Sequence, residues 1–214
     1  MTAHFRRDRR RRVSATFDPV EAALLRDLTA QLVELVEDGV PTQTEDPLAA
    51  SLGIGTGTPP DDPVLVRLFP DAYVSPGAAP DAEQAENGTE FRRYTEVGLR
   101  QVKGARARGV HEELAGDPRD PVDVRLDEAR ALEWLTVLTD LRLALATRIG
   151  LASEQDAAEL DELAYAAMRR RGRPGSAGDP DQGGDPLAED PRLGVHQIYT
   201  WLGYLQESLV ASMP

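Results

Sequence analysis

Residues 18–39 read DPVEAALLRDLTAQLVELVEDG, and this stretch carries its own start, face and stop. Asp18 is a capping residue type, Pro19 suits the first helical position, and Glu21 completes a capping box. Leu24, Leu25, Leu28, Leu32, Leu35 and Val36 recur with the period of one helical face. Gly39 and Pro41 end the segment. The spacing therefore predicts an amphipathic helix, and a helix of this kind needs other elements to cover its apolar stripe.

Those elements are legible on both sides. Upstream, Val13, Ala15 and Phe17 alternate with polar residues, the period of a half-buried strand, and Phe5–Arg12 is expected to pair with it as a hairpin. Val122, Val124 and Leu126 alternate likewise and predict a third strand. Short helices are expected over 46–53 and from Asp62-Pro63 to Phe69. Longer ones are expected over 89–114, over 128–149 behind a capping Asp127, over 153–171, and over 191–213. The last places Ile198, Trp201, Leu202, Leu205 and Leu209 on one face. Segments 53–62, 75–88 and 172–191 read as flexible loops; the third holds five glycines, four prolines and four aspartates. The expected fold is mainly α: one domain over residues 1–214, a bundle of five to seven helices with a small antiparallel β element.

Composition narrows the chemistry. The 214 residues include no cysteine, which excludes disulfides, thiolate catalysis and cysteine-bound zinc. The three histidines, His4, His111 and His196, lack metal-ligand spacing. No nucleophile has a readable base, so no enzyme, metal or cofactor is expected. The glycine run 53–57 leads into Pro59-Pro60 rather than a helix amino-terminus, so it has no reason to cradle phosphate. No signal peptide or membrane-spanning run is read, and a cytoplasmic location is expected. The net charge is −13. Six arginines and one aspartate precede residue 18, leaving 18 basic and 36 acidic residues beyond. Such an acidic body repels nucleic acid unless a local basic patch prevails.

Two sets of charged residues stand out. Arg92, Arg93, Arg100, Lys103 and Arg106 lie on one expected helix of an otherwise acidic chain. They form either a docking surface for nucleic acid or an acidic protein, or a face that is solvated or paired with the acidic helix 18–38. In the helix 128–149, Glu133, Thr136, Asp140 and Thr147 fall on one solvent stripe. Arg142 points about 200° away from Asp140, at 100° per residue, into an apolar face. A guanidinium there requires a partner, and Asp71, Glu90 and Glu207 are the expected carboxylates. The reading is a core ion pair or, alternatively, an anion or partner site.

Five stretches together carry a resemblance: DPLAASLGIG from Asp46, RLFPDAY from Arg67, EFRRYTE from Glu90, WLTVLTDLRLAL from Trp134 and YTWLGYLQESL from Tyr199. They resemble an actinobacterial family of domains of unknown function that includes a mycobacterial oxidative-stress transcriptional regulator. The resemblance covers nearly the whole chain apart from the loops 75–88 and 172–191. It implies a redox-responsive regulator that senses through a cysteine pair and acts with a stress sigma factor; this chain, lacking cysteine, cannot hold that switch. Members are also implied to be encoded beside a proteolysis adaptor. Within the shared stretches, Arg67, Asp71, Glu90, Asp140 and Arg142 are the expected members of an internal charge network. The leading expectation is a non-enzymatic, transcription-associated stress regulator with a protein partner (a sigma factor or a proteolysis adaptor), with DNA as a further ligand. A protein-interaction adaptor is the alternative. The apolar last helix also makes a homodimer an expectation.

Overall fold

The computed structural model describes residues 3–8, 12–38, 53–73, 81–171 and 190–213. The expected short helix over 46–53 lies outside them except for Gly53, as does nearly all of the expected loop 172–191.

Two strands open the chain, β1 (Arg6–Arg7) and β2 (Val13–Phe17), followed by α1 (Pro19–Asp38) and α2 (Pro63–Leu68). Then come α3 (Ala82–Glu113), β3 (Val122–Leu126), α4 (Glu128–Arg148), α5 (Glu154–Arg171) and α6 (Pro191–Ser212). The mainly α class expected from sequence is the class observed.

The capping box of α1 forms as its sequence dictates. Asp18 Oδ1 accepts from the backbone N–H of Val20 at 2.8 Å and of Glu21 at 2.9 Å, and the Asp18 N–H donates to Glu21 Oε2 at 3.1 Å. Glu21 is almost wholly buried, and its other oxygen accepts from the Ala3 N–H at 3.1 Å. One carboxylate thus closes the helix start and anchors the N-terminal strand.

The strands pair antiparallel in the order β1-β2-β3. Val13 faces Leu126 and Phe17 faces Val122 in the ladder. The alternation that predicted β2 puts Val13, Ala15 and Phe17 on the buried side. There Phe17 stacks on Trp134 of α4 at 5.8 Å between ring centroids, and Phe5 meets both rings edge-on at 5.9 and 5.5 Å. Around this aromatic cluster pack Leu25, Val36, Leu138 and the α6 face of Leu202, Leu205 and Leu209, all essentially inaccessible. The α6 face that suggested a homodimer is therefore spent inside the chain.

Two segments depart from expectation. Helix α3 starts at residue 82, within the stretch 75–88 expected to be a loop. Asp81 and Gln84 form a reciprocal capping box there, at 2.8 and 3.1 Å. This signal lies upstream of the apolar periodicity, because the first turns of α3 are polar and exposed. The glycine run, expected to be a flexible loop, lies along α3. The Gly55 N–H donates to the Arg93 carbonyl at 2.8 Å. A Cβ at Gly57, whose φ is +80°, would sit 2.8 Å from the Thr89 carbonyl. The glycines thus permit backbone-to-backbone approach.

Truncating Phe17 to alanine removes the ring that joins sheet to helices. The expected loss is about 3–5 kcal/mol in urea unfolding, and the measured midpoint and slope check it.

Candidate functional site

The basic helix resolves first, because its spacing sets its direction. Arg92, Glu96 and Arg100 recur every four residues, which aligns them on one side of α3. That side faces α1 and α2, and Arg92 and Arg100 are 5% and 1% exposed. Two of the five cations expected at a docking surface are therefore core residues.

Glu96 sits between them. One of its oxygens pairs with Arg92 Nη1; the other accepts from Arg100 Nε at 2.8 Å and Nη2 at 2.6 Å. Arg92 donates to Asp71 Oδ1 from Nε and Nη2, at 3.1 and 2.7 Å, and to the Phe69 carbonyl at 2.8 Å. Arg100 Nη1 donates to the Val36 carbonyl at 3.1 Å and lies over the Phe69 ring at 4.8 Å. The Phe69 and Val36 carbonyls belong to the C-terminal ends of α2 and α1, where cations complement the helix dipole. Burial opposes the Arg92 charge, but Asp71 and Glu96 outweigh it and hold its pKa above the ordinary value.

Lys103 continues the array, donating to Asp140 Oδ1 at 2.6 Å. Asp140, expected on a solvent stripe, is buried; α3 covers that side of α4. Burial pushes its carboxyl pKa up, with Lys103 and Arg106 pulling it back. Arg92, Arg100 and Lys103 thus meet Asp71, Glu96 and Asp140, three charges of each sign. At the surface, Arg93 pairs with Glu90 at 3.6 Å, and Arg108 pairs with Glu37 of α1. Arg106 is half-buried, and Arg67 is exposed.

Arg142 does not meet a carboxylate from Asp71, Glu90 or Glu207. Asp71 is taken by Arg92, Glu90 lies beside Arg93, and Glu207 is exposed. Arg142 instead donates to Gln206 Oε1 at 2.6 Å and to the Tyr199 hydroxyl at 3.1 Å, with its plane 4.8 Å over the Tyr199 ring. Sequence reasoning missed both partners, since a neutral amide and a phenol carry no charge signal. Glu96 was missed as well, although its place midway between Arg92 and Arg100, four residues from each, was a signal for it.

A second feature is an open apolar groove of about 340 Å³ between α1 and α4. Buried Leu28, Leu32, Val64 and Leu141 form its floor, with half-exposed Leu35 and Leu145 beside them. Glu34 and Asp38 are exposed at its edge. Arg148 borders it too, and donates to Asp62 at 2.7 Å. Among the described residues, no helix is long and apolar enough to cross a membrane.

The family described as a domain of unknown function, DUF2017, matches residues 1–213. The chain belongs to the DUF2017 family. It is similar to the oxidative stress regulator AosR of Mycobacterium tuberculosis strain H37Rv, 29% identical over 204 residues, 93% of this chain and 81% of that protein. It is also similar to the putative oxidative stress regulator AosR of Mycobacterium leprae, at 30% identity over 91% of this chain and 79% of that protein. No solved structure matches it. Four of the five stretches that carried the resemblance supply the features above: RLFPDAY gives Phe69 and Asp71, EFRRYTE gives Arg92 and Glu96, and the α4 and α6 stretches give Asp140, Arg142, Tyr199 and Gln206.

Replacing Glu96 with glutamine takes from buried Arg100 the carboxylate it pairs with and leaves Arg92 with Asp71 alone. The expected cost is about 3–5 kcal/mol in chemical denaturation. Glu90→Gln, at the exposed pair, should change stability by less than about 1 kcal/mol. Equal effects of the two would show that the buried network is not what holds α3.

Proposed function

We propose that this DUF2017 chain is a non-enzymatic, cytoplasmic stress regulator that works by holding a protein partner in the groove between α1 and α4. The observation that carries the reading is the groove itself: a leucine-lined floor, open to solvent, with Glu34 and Asp38 at its edge. Apolar grooves of this kind accept the apolar face of an amphipathic helix, and the acidic edge favours a helix flanked by lysine or arginine. The names of the mycobacterial relatives support a regulatory rather than a catalytic role.

The partner is a component of the transcription machinery, a stress sigma factor first. A proteolysis adaptor is the alternative occupant, and it would use the same groove. Direct DNA binding draws less support from α3. Two of the cations that would have formed its basic face are buried, and Lys103 is tied to Asp140.

A homodimer remains a second reading, now on a different surface. Phe91, Tyr94, Leu99 and Val102 of α3 are exposed large apolar residues, between 43% and 58% accessible. They fall within twelve positions of one helix, so two copies could cover each other there.

The test is a titration of the purified protein against immobilised stress sigma factor and proteolysis adaptor from the same organism. One of them should bind, and Leu35→Glu should weaken that binding at least about tenfold by placing a charge in the apolar groove. Phe91→Ser, remote from the groove, should leave it unchanged. Binding to neither protein, binding indifferent to Leu35→Glu, or sequence-specific DNA binding at physiological salt would overturn the reading. The dimer is checked by light scattering: Val102→Glu should lower the particle mass to that of one chain.

A further inference from the structure

Four helices converge on a second cavity, of about 400 Å³, lined by other residues of α4 than the α1–α4 groove. Arg67 of α2, Arg142 of α4, Tyr199 and Gln206 of α6, and the first residues of α5 line it. Its centre is a cation that meets no countercharge among the described residues. The Arg142 guanidinium has five N–H donors, and the two oxygens it meets, Gln206 Oε1 and the Tyr199 hydroxyl, are both neutral. Its Nε is buried and has no hydrogen-bond partner among the described residues.

A half-buried arginine in a chain of net charge −13 would readily find a carboxylate. Glu207 follows Gln206 directly, yet the α6 register sends Glu207 to solvent and gives Arg142 the amide. The guanidinium is nevertheless held in one orientation. Gln206 is fixed in turn by its own Nε2 donating to Thr139 Oγ1 at 2.8 Å. The Tyr199 ring supports the guanidinium plane at 4.8 Å. Arg67 adds a second cation, exposed at the same cavity, against Glu154 as the one carboxylate lining it. The amino-terminus of α5 is not the source of positive character. Asp156 already accepts from the Ala152 and Ser153 N–H groups, at 2.9 and 2.7 Å.

We propose that this cavity binds a small organic anion, with a carboxylate or phosphate head on Arg142 and Arg67 and a compact apolar body against Leu143, Ala146 and Leu151. An orientated, uncompensated guanidinium offers charge-assisted hydrogen bonds to an oxyanion, and its planar fork suits a bidentate one. The cavity is open to solvent and has room for a head group and one ring. Because Arg142 lies on α4 and Arg67 on α2, with Tyr199 and Gln206 on α6, an occupant ties three helices together. The proposal does not depend on the partner groove.

The test uses calorimetric titration of the full chain with benzoate and with phenyl phosphate, which carry the two head groups on the same ring. Inorganic phosphate serves as the bodiless anion and benzyl alcohol as the uncharged body. At least one ring-bearing anion should bind with a Kd on the order of 1 mM or tighter, and the better of the two assigns the head group. Benzyl alcohol should not bind. Arg142→Gln should weaken the anion at least about tenfold, the loss expected of a charge-assisted pair. Arg67→Gln, at an exposed position where folding is not at stake, should weaken it several-fold. Failure of both ring-bearing anions at about 10 mM, ten times the expected Kd, would overturn the proposal. So would equal affinity for benzyl alcohol, or affinity untouched by both substitutions.

Discussion

Glu96 holds the positions of three helices at once. Its two oxygens engage two arginines one helical turn to either side, and each arginine reaches past it to the carbonyl end of another helix. Neither α1 nor α6 has a basic residue in its last turn. For α1 the missing cation is Arg100, supplied from α3; for α6 it is Arg7, whose Nε donates to the Ser212 carbonyl at 3.1 Å. Arginine is suited to this because its donors point several ways from one plane, so one group serves a carboxylate and a carbonyl together. Buried charge is costly unless every member is satisfied. The array is satisfied by equal numbers of cations and carboxylates, and that requirement fixes where α1, α2 and α4 meet α3.

That arrangement also decides what remains for function. A helix that looked like a basic surface has most of its charge turned inward, which leaves the acidic body without a broad cationic face along α3. The surfaces left are apolar or locally uncompensated: the α1–α4 groove, the outer stripe of α3, and the cavity around Arg142. The first two are the surfaces proposed for protein partners, and the third is the one proposed for a small anion. Without cysteine, this chain cannot form a disulfide of its own.

Much of the fold was legible because it rests on local physics. The α1 capping box, the alternation of β2 and β3 and the leucine face of α6 are each set by residues within one or two turns of each other. The start of α3 at Asp81 was missed for a related reason: its signal is a cap rather than a hydrophobic period, and the first turns expose nearly everything. The candidate residues divided more sharply. Asp140 and Arg142, two positions apart, were assigned to solvent and to the interior. Both are covered, Asp140 by the Lys103 side of α3 and Arg142 by α6.

The sequence alone therefore determined most of the helices and strands, which apolar faces must be covered, and that no cysteine is present. Those properties follow from backbone geometry, side-chain period and composition, all of them local. The tertiary structure decided which charges meet. An arginine on a helix is equally compatible with water, a carboxylate or a carbonyl, and only the packing of a distant element selects among them. Arg92 and Arg100 became interior because α1 and α2 present carbonyl ends to that side of α3. Arg142 was left with neutral partners because the register of α6 placed Gln206, and not Glu207, within its reach.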